Sequence, residues 1–234
     1  PEPALDEIAA RVFDAGADAL WVTATRPLTA HENALRSHWH MRAGDEVWVE
    51  AAWTPSLVER SPTEMPDLAT MRRRLEQTVS FWREWISHCA YEGEYSQAVR
   101  RSALVLKALT YAPSGAIVAA PTTSLPEEPG GVRNWDYRYT WLRDASLTLE
   151  ALWVAACPDE AWMFFDFLTS SMTQMRRGED LQIMFGIGGE RDLSERVLPH
   201  LPGWRGSWPV RVGNSAWTQR QLDVYGEVLA AAHR

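Results

Sequence analysis

The pattern of apolar and polar residues changes along the chain. It alternates with a period of two in the first part and shows the spacing of apolar residues typical of α-helices in the second. Residues of alternating character fill Asn33–Met41 and Asp45–Trp53, and turn residues at Arg26-Pro27 and Ala43-Gly44-Asp45 separate such segments. This alternation predicts antiparallel, half-buried strands over residues 19–53. Three strands alone form a thin sheet with exposed edges, so we expect them to be the last strands of a larger β-sandwich.

From residue 67 onward, the spacing of apolar residues predicts α-helices instead. The predicted helices lie at roughly 67–89, 96–111, 144–156, 159–175 and 215–233. An all-β piece followed by an all-α piece indicates two domains and a mainly α fold. The predicted division is residues 1–58 for the terminal strands of the β-sandwich, 59–95 for a linker with a helix, and 96–234 for the first part of a helical domain.

The connections between the predicted helices differ greatly in length. Ala112–Arg143 and Arg176–Gly213 are long and irregular, whereas Ala156–Asp159 is minimal. Because successive antiparallel helices place alternate loops at opposite ends, the two long loops should share one end of the bundle. Long loops without secondary structure are uncommon in compact domains and usually carry function. We therefore expect the functional site at that end.

The first long loop ends in a run of aromatic and charged residues. Asn134–Asp144 holds four aromatic residues, two arginines and two aspartates just before a helix. A sugar site needs aromatic planes for the C–H faces and charged groups that bond the hydroxyls directionally. The structural alternative is that Asp144 only caps a helix beginning at Ala145, with Arg143 as its ion-pair neighbour. The position of the run at the loop-rich end favours a site.

Three other features are weaker candidates for chemistry. The glycines of Phe185–Asp192 match neither a dinucleotide nor a phosphate-loop pattern, and no strand precedes them, so a nucleotide site is not expected. Glu190 and Asp192 are a candidate carboxylate pair, although a local salt-bridged turn is the commoner reason for such a run. His38 and His40 share one strand face, but no third metal ligand accompanies them.

Composition excludes several classes of function. Acidic residues outnumber basic ones by 31 to 23, a formal net charge of −8, so nucleic acids and anionic membranes are not expected as partners. Two cysteines cannot build a disulfide framework or a zinc site, and we expect neither a metal nor a cofactor. No signal peptide or membrane-length apolar run is visible, which favours a cytoplasmic protein. Both ends look cut, which indicates a segment of a longer protein.

Several motifs resemble glycoside hydrolase family 15, which holds glucoamylases, glucodextranases and bacterial trehalases. The matching runs are Arg101–Leu104, Ala120–Pro126, Arg133–Asp144, Gly188–Leu193, Pro209–Asn214 and Gln221–Gly226. The resemblance covers about residues 75–234 in linear order, and the Trp-Asp-Tyr-Arg-Tyr-x-Trp-x-Arg-Asp string is highly specific. It implies that the helical part is the first portion of an (α/α)6 toroid with its active site at one end.

The resemblance also implies roles for particular residues. Arg143 and Asp144 should hold the hydroxyls of the non-reducing-end glucosyl unit, with Trp141 and Tyr137 shaping its pocket. The substrate would be an α-glucoside disaccharide or oligosaccharide.

Two further assignments rest on the second long loop. Trp208 falls near an aromatic residue that flanks the scissile bond in glucoamylases, and Arg211 lies on the same loop. Bacterial relatives commonly have arginine where this chain has Trp208, a departure that concerns the outer subsites.

The family inverts configuration with a general acid and a general base, both glutamates, separated so that a water molecule fits. Both are expected downstream of this chain, so no catalytic residue is assigned within it. The resemblance implies an inverting, exo-acting α-glucosidase that releases β-glucose from α-glucosides or trehalose. A carbohydrate-binding or scaffold protein without the carboxylates, and a toroid enzyme that catalyses phosphorolysis, are the alternatives.

Overall fold

A computed structural model describes most of the chain. The described residues are 9–15, 18–31, 34–55, 67–155, 159–173 and 180–233. The chain divides into two compact units, Pro1–Ser80 and Phe81–Arg234. The predicted domain boundaries near residues 58 and 95 stay predictions.

The described residues of the first unit form five strands. They are β1 (Ala9–Ala15), β2 (Asp18–Ala24), β3 (Thr29–His31), β4 (Ala34–Arg36) and β5 (Val49–Pro55). Strands β1, β2 and β5 form an antiparallel sheet in that order, and β3 and β4 form a separate hairpin. Of the described residues, the range predicted to form antiparallel strands, 19–53, holds β5, most of β2 and the short β3–β4 hairpin, whereas β1 lies before that range.

Two of the predicted strands are shorter than their alternation indicated. In the described part of the predicted strand 33–41, only Ala34–Arg36 is a strand, and the strand predicted from Asp45 begins at Val49. The residues between them form a loop, in which Ser37 Oγ donates to the carbonyl of Pro27 (2.6 Å) and the Arg42 amide donates to Asp45 (2.8 Å). Alternation alone does not make a strand when no neighbouring strand pairs with it.

The second unit is rich in helices, as predicted. The helices are α1 (Leu68–Ser87), which begins in the first unit, and α2 (Ser96–Ala108), α3 (Leu142–Val154), α4 (Asp159–Met172) and α5 (Asp223–His233). Short antiparallel pairs join β6 (Thr110–Tyr111) to β7 (Ala116–Ile117), β8 (Thr140–Trp141) to β9 (Met184–Phe185), and β10 (Arg196–Val197) to β11 (Arg211–Val212). None of the helices within the described ranges is long and apolar enough to cross a bilayer.

Three helix boundaries differ from the predicted ones for local reasons. Helix α2 ends at Ala108 because Thr110–Tyr111 pairs with β7. Helix α3 begins at Leu142, two residues early, because the Leu142 amide already donates to Ile183 (3.0 Å) at the end of the β8–β9 ladder. The helix predicted at 215–233 is divided into a 3-10 turn, Ser215–Thr218, and α5.

The larger of two apolar cores among the described residues joins α3, α4 and α5 to the loops of the second unit. It includes Leu142, Ala145 and Leu149 of α3, with Phe164 and Phe167 of α4. The buried β9 strand and Ile183 complete it from the second long loop. The core therefore fixes the end of this loop against the start of α3.

The two long loops contact each other extensively. The Gly130 amide donates to Ser207 Oγ (2.8 Å), and Asn134 Nδ2 donates to the carbonyl of Pro209 (3.3 Å). Asn214 Nδ2 donates to the carbonyl of Asp136 (3.0 Å). The prediction that both long loops lie at one end is confirmed. The short link at 156–158 lies outside the described residues.

Candidate functional site

A pocket of about 370 Å³ lies where the two long loops meet. Its lining consists of Trp135, Tyr137, Trp141, Glu195, Asn214, Ser215, Ala216 and Gln219. The first three residues give aromatic surfaces, and all the others except Ala216 supply amide, hydroxyl or carboxylate groups. The pocket falls in the size range of roughly 300–1,000 Å³ that holds small organic ligands, and it combines apolar faces with a few polar groups.

Trp141 and Tyr137 both line this pocket, and their role toward a sugar stays a prediction. Trp141 is 9% exposed and belongs to β8, where pairing with β9 fixes its backbone. Burial and the negative charges of Glu127 and Asp144 raise the pKa of the Tyr137 phenol above its ordinary value. The phenol therefore stays neutral near pH 7 and can donate as well as accept a hydrogen bond.

Arg143 and Asp144 stand beside this pocket and do not line it. Arg143 Nη2 lies 3.4 Å from Asp144 Oδ2, and its Nη1 lies 3.3 Å from Asp223 Oδ2 and 3.2 Å from Gln221 Oε1. The guanidinium carbon is 5.9 Å from the centre of the Trp141 ring. The side chains of Arg143 and Asp144 are 39% and 42% exposed, so both can reach a ligand.

The capping alternative for Asp144 is wrong. Helix α3 begins at Leu142 after Trp141, so Asp144 lies inside the first turn and makes no N-cap. A carboxylate in the first turn still interacts favourably with the helix dipole. Asp144 therefore has a modest structural role, and its side chain remains accessible.

A buried carboxylate, Asp136, holds the first long loop in shape. It accepts hydrogen bonds from Arg138 Nε (2.9 Å) and Nη2 (2.8 Å), and from the Tyr139 hydroxyl (3.3 Å). The Gly213 amide of the second loop also donates to it (3.2 Å). Burial and this negative charge raise the pKa of Tyr139. Asp136 thus fixes the backbone between the pocket residues Trp135 and Tyr137.

Arg211 lies behind the pocket wall and is almost fully buried. Its Nη1 lies 2.7 Å from Glu195 Oε1, and its Nη2 donates to the carbonyl of Val132 (3.2 Å). Its guanidinium carbon is 4.6 Å from the centre of the Trp135 ring. Arg211 therefore contacts two residues of the lining, Glu195 and Trp135, and is not itself in the lining.

The remaining sequence candidates lie apart from the pocket. Trp208 is half exposed and does not line it. Glu190 accepts from the Gly188 amide (2.9 Å), and Asp192 accepts from the Ser194 amide (3.1 Å). Both carboxylates thus hold local turns, and hydrogen bonds from Ser194 lower the pKa of Asp192.

Sequence reasoning missed five polar or aromatic residues of the lining. Trp135 lies in the same Asn134–Asp144 run as Tyr137 and Trp141, so its position in the sequence could have identified it as a pocket residue. Glu195 reaches the pocket through the folding of the second loop, whereas Asn214, Ser215 and Gln219 belong to or flank the 3-10 turn that follows this loop. The ladder between β10 and β11 brings Glu195 beside Arg211, and no spacing in the sequence shows this pairing.

Buried polar atoms without a partner concentrate around this pocket. Of the seven such side-chain atoms found in the part of the chain that the structure describes, four belong to Asn134, Thr140, Trp141 and Arg211. Such atoms are uncommon in proteins and often mark places completed by water or a ligand. In that same part of the chain, no group of three His, Cys, Asp or Glu residues could hold a metal ion.

The aromatic surfaces and the buried ion pair of the pocket, with an accessible Arg–Asp pair at the start of α3 beside it, offer the kinds of contact that a sugar needs. The family model for glycosyl hydrolases family 15 matches residues 93–234, and the chain belongs to this family.

The chain is similar to several proteins named trehalase. It is 41% identical to the trehalase of Mycolicibacterium smegmatis over 201 residues, which are 85% of this chain and 29% of that protein. It is 42% identical to the trehalase of Mycobacterium tuberculosis (83% and 28%) and 46% identical to that of Thermoplasma acidophilum (68% and 27%). The chain thus spans less than a third of these curated relatives. No solved structure matches it significantly.

Proposed function

We propose that the chain carries the non-reducing-end glucose subsite of an inverting, exo-acting glycoside hydrolase that cleaves trehalose. The observation that carries the proposal is the pocket of Trp135, Tyr137 and Trp141 beside the Arg143–Asp144 pair. Membership of glycosyl hydrolases family 15 supports hydrolysis, and the names of the relatives support trehalose over other α-glucosides.

The proposed roles follow from what each side chain offers a sugar. The indole of Trp141 and the ring of Tyr137 present flat apolar surfaces to the C–H face of a glucosyl unit. Arg143 donates to its hydroxyl oxygens, and Asp144 accepts from its hydroxyl hydrogens. Hydrogen bonds to charged groups are the stronger and more directional ones, so this pair would fix the orientation of the sugar.

The chemical step needs two carboxylic groups in the proposed mechanism. One protonates the oxygen between the two glucosyl units as their bond breaks, and the other takes a proton from the attacking water. No residue of this chain is assigned either role, and we expect both glutamates in the remainder of the full-length protein. The part described here binds and orients the glucosyl unit toward that water.

The test is hydrolysis of trehalose, maltose and isomaltose by the full-length protein, with the products followed by proton NMR. Inverting cleavage of trehalose gives one α-glucose and one β-glucose per bond before mutarotation mixes them. Trehalose should have the highest kcat/KM of the three substrates.

Other product patterns would contradict parts of the proposal. Two α-glucose molecules per bond would contradict inversion, and a glucose phosphate would indicate phosphorolysis. Sugar binding without any turnover would favour the carbohydrate-binding alternative.

A further inference from the structure

The pocket contains a fixed carboxylate that the roles above do not use. Glu195 is the one charged residue of the pocket lining within the described residues. Its side chain is 18% exposed, and its Oε1 lies 2.7 Å from Nη1 of Arg211, which is 10% exposed. A buried cation balances its charge, while the pocket keeps part of the carboxylate accessible.

Arg211 is held from several directions. Its backbone is fixed, because its amide donates to Ser124 Oγ (2.8 Å) and its carbonyl accepts from Thr123 Oγ1 (2.7 Å). The guanidinium is stacked over Trp135 and donates to Val132. Glu195 directly precedes β10, whose Val197 pairs with Arg211 of β11. The carboxylate is therefore preorganised, and binding a hydroxyl there needs no further ordering of the side chain.

Asn214, the other buried polar side chain of the lining, already has hydrogen-bond partners within the protein. Asn214 donates through Nδ2 to the carbonyl of Asp136 and accepts through Oδ1 from the Ala216 amide (3.0 Å each). Within the described part of the chain, Glu195 accepts a hydrogen bond only from Arg211, through Oε1. Its Oε2 is the remaining carboxylate acceptor for a ligand hydroxyl on this wall.

The two acidic groups of the site lie toward different aromatic residues. The negative charge of Asp144 acts on the Tyr137 phenol, whereas Glu195 is joined through Arg211 to Trp135. A glucosyl unit bound by Tyr137, Trp141, Arg143 and Asp144 does not use Trp135 and Glu195, which also line the pocket. The volume of about 370 Å³ is in the range for a ligand of disaccharide size.

We infer that Glu195, fixed by Arg211, binds a hydroxyl of the second glucosyl unit of the substrate, the unit that leaves on cleavage. Glu195 is then a specificity-determining residue, and Arg211 is the residue that positions it. The inference rests on the proposed function, since it assumes a disaccharide substrate.

The test compares two substrates in the full-length protein: trehalose, and α-glucosyl fluoride, which has no second sugar. E195Q should lower the ratio of kcat/KM for trehalose to kcat/KM for the fluoride at least tenfold, mainly by raising KM for trehalose. R211M should lower the ratio in the same direction, and R211K should restore part of it because it keeps the cation. E128Q, an exposed glutamate of the first loop, is the matched control and should leave the ratio unchanged.

The outcomes separate this inference from the proposed function. A wild-type protein that hydrolyses trehalose, with an E195Q ratio within twofold of wild type, overturns the inference alone. An equal loss on both substrates also overturns it, because Glu195 then acts on the first glucosyl unit or on folding. A wild-type protein that hydrolyses neither substrate overturns the proposed function, and the inference falls with it.

Discussion

At the scale of single residues, the Arg143–Asp144 pair differs from the Asp136–Arg138 pair of the same motif in the burial of its carboxylate. The side chain of Asp136 is fully buried and holds the loop, whereas those of Arg143 and Asp144 are both close to 40% exposed and their ion-pair distances are 3.3 Å or longer. Exposed pairs of this kind contribute little to stability. The sequence motif contains both pairs, but only the structure separates the one that holds the loop from the one that a ligand can reach.

This difference predicts the effect of D144N in the full-length protein. Loss of a charge-assisted hydrogen bond to a sugar hydroxyl costs on the order of 3 kcal/mol, so kcat/KM for trehalose should fall about a hundredfold or more. Steady-state kinetics of the D144N variant measures this decrease. The control is D166N, because Asp166 lies on α4 and does not line the pocket. A decrease of tenfold or less would leave Asp144 with its structural role in the first turn of α3.

At the scale of elements, the long loops depend on backbone conformations that pattern reasoning does not detect. The sequence predicted that Ala112–Arg143 and Arg176–Gly213 share one end, because loop order alone dictates it. It did not predict the ladders β8–β9 and β10–β11, because a strand of two residues is too short to show an alternation of apolar and polar residues. Those ladders decide which loop residues reach the pocket, so Glu195 could not be found from spacing.

Two glycines with similar backbone conformations allow a matched test of this loop packing. Gly213 and Gly130 have φ of +85° and +82°, but a Cβ at Gly213 would overlap the Ser194 carbonyl, whereas at Gly130 it would meet open space. G130A should cost about 1–2 kcal/mol from backbone strain alone. G213A adds an overlap worth about 1–3 kcal/mol more. Urea unfolding of both variants measures the difference, and equal losses would contradict the loop contact.

At the scale of the whole molecule, the helical face of α3, α4 and α5 is strongly apolar and exposed. Trp162 is 74% and Leu229 70% exposed, and a groove of about 490 Å³ runs between the three helices. The sequence predicted these helices from their apolar spacing. It could not show which apolar faces stay uncovered, because that depends on how the helices pack together.

This exposed face and the short span relative to the trehalase relatives predict how residues 1–234 behave when produced alone. Exposed apolar patches of this kind drive association, so the 234-residue protein should self-associate, and W162E should reduce the association. It should release no glucose from trehalose. Light scattering and a glucose assay measure both properties. A monodisperse sample with a cooperative melt, or measurable glucose release, would contradict the prediction.

The most direct measurement is a crystal structure of the full-length protein with glucose or trehalose bound. A glucosyl ring should lie against Trp141 and Tyr137, with hydroxyls within hydrogen-bonding distance of Arg143 and Asp144. A sugar bound elsewhere, with the space beside Trp141 filled only by water, would contradict the assignment of this pocket as the glucose subsite.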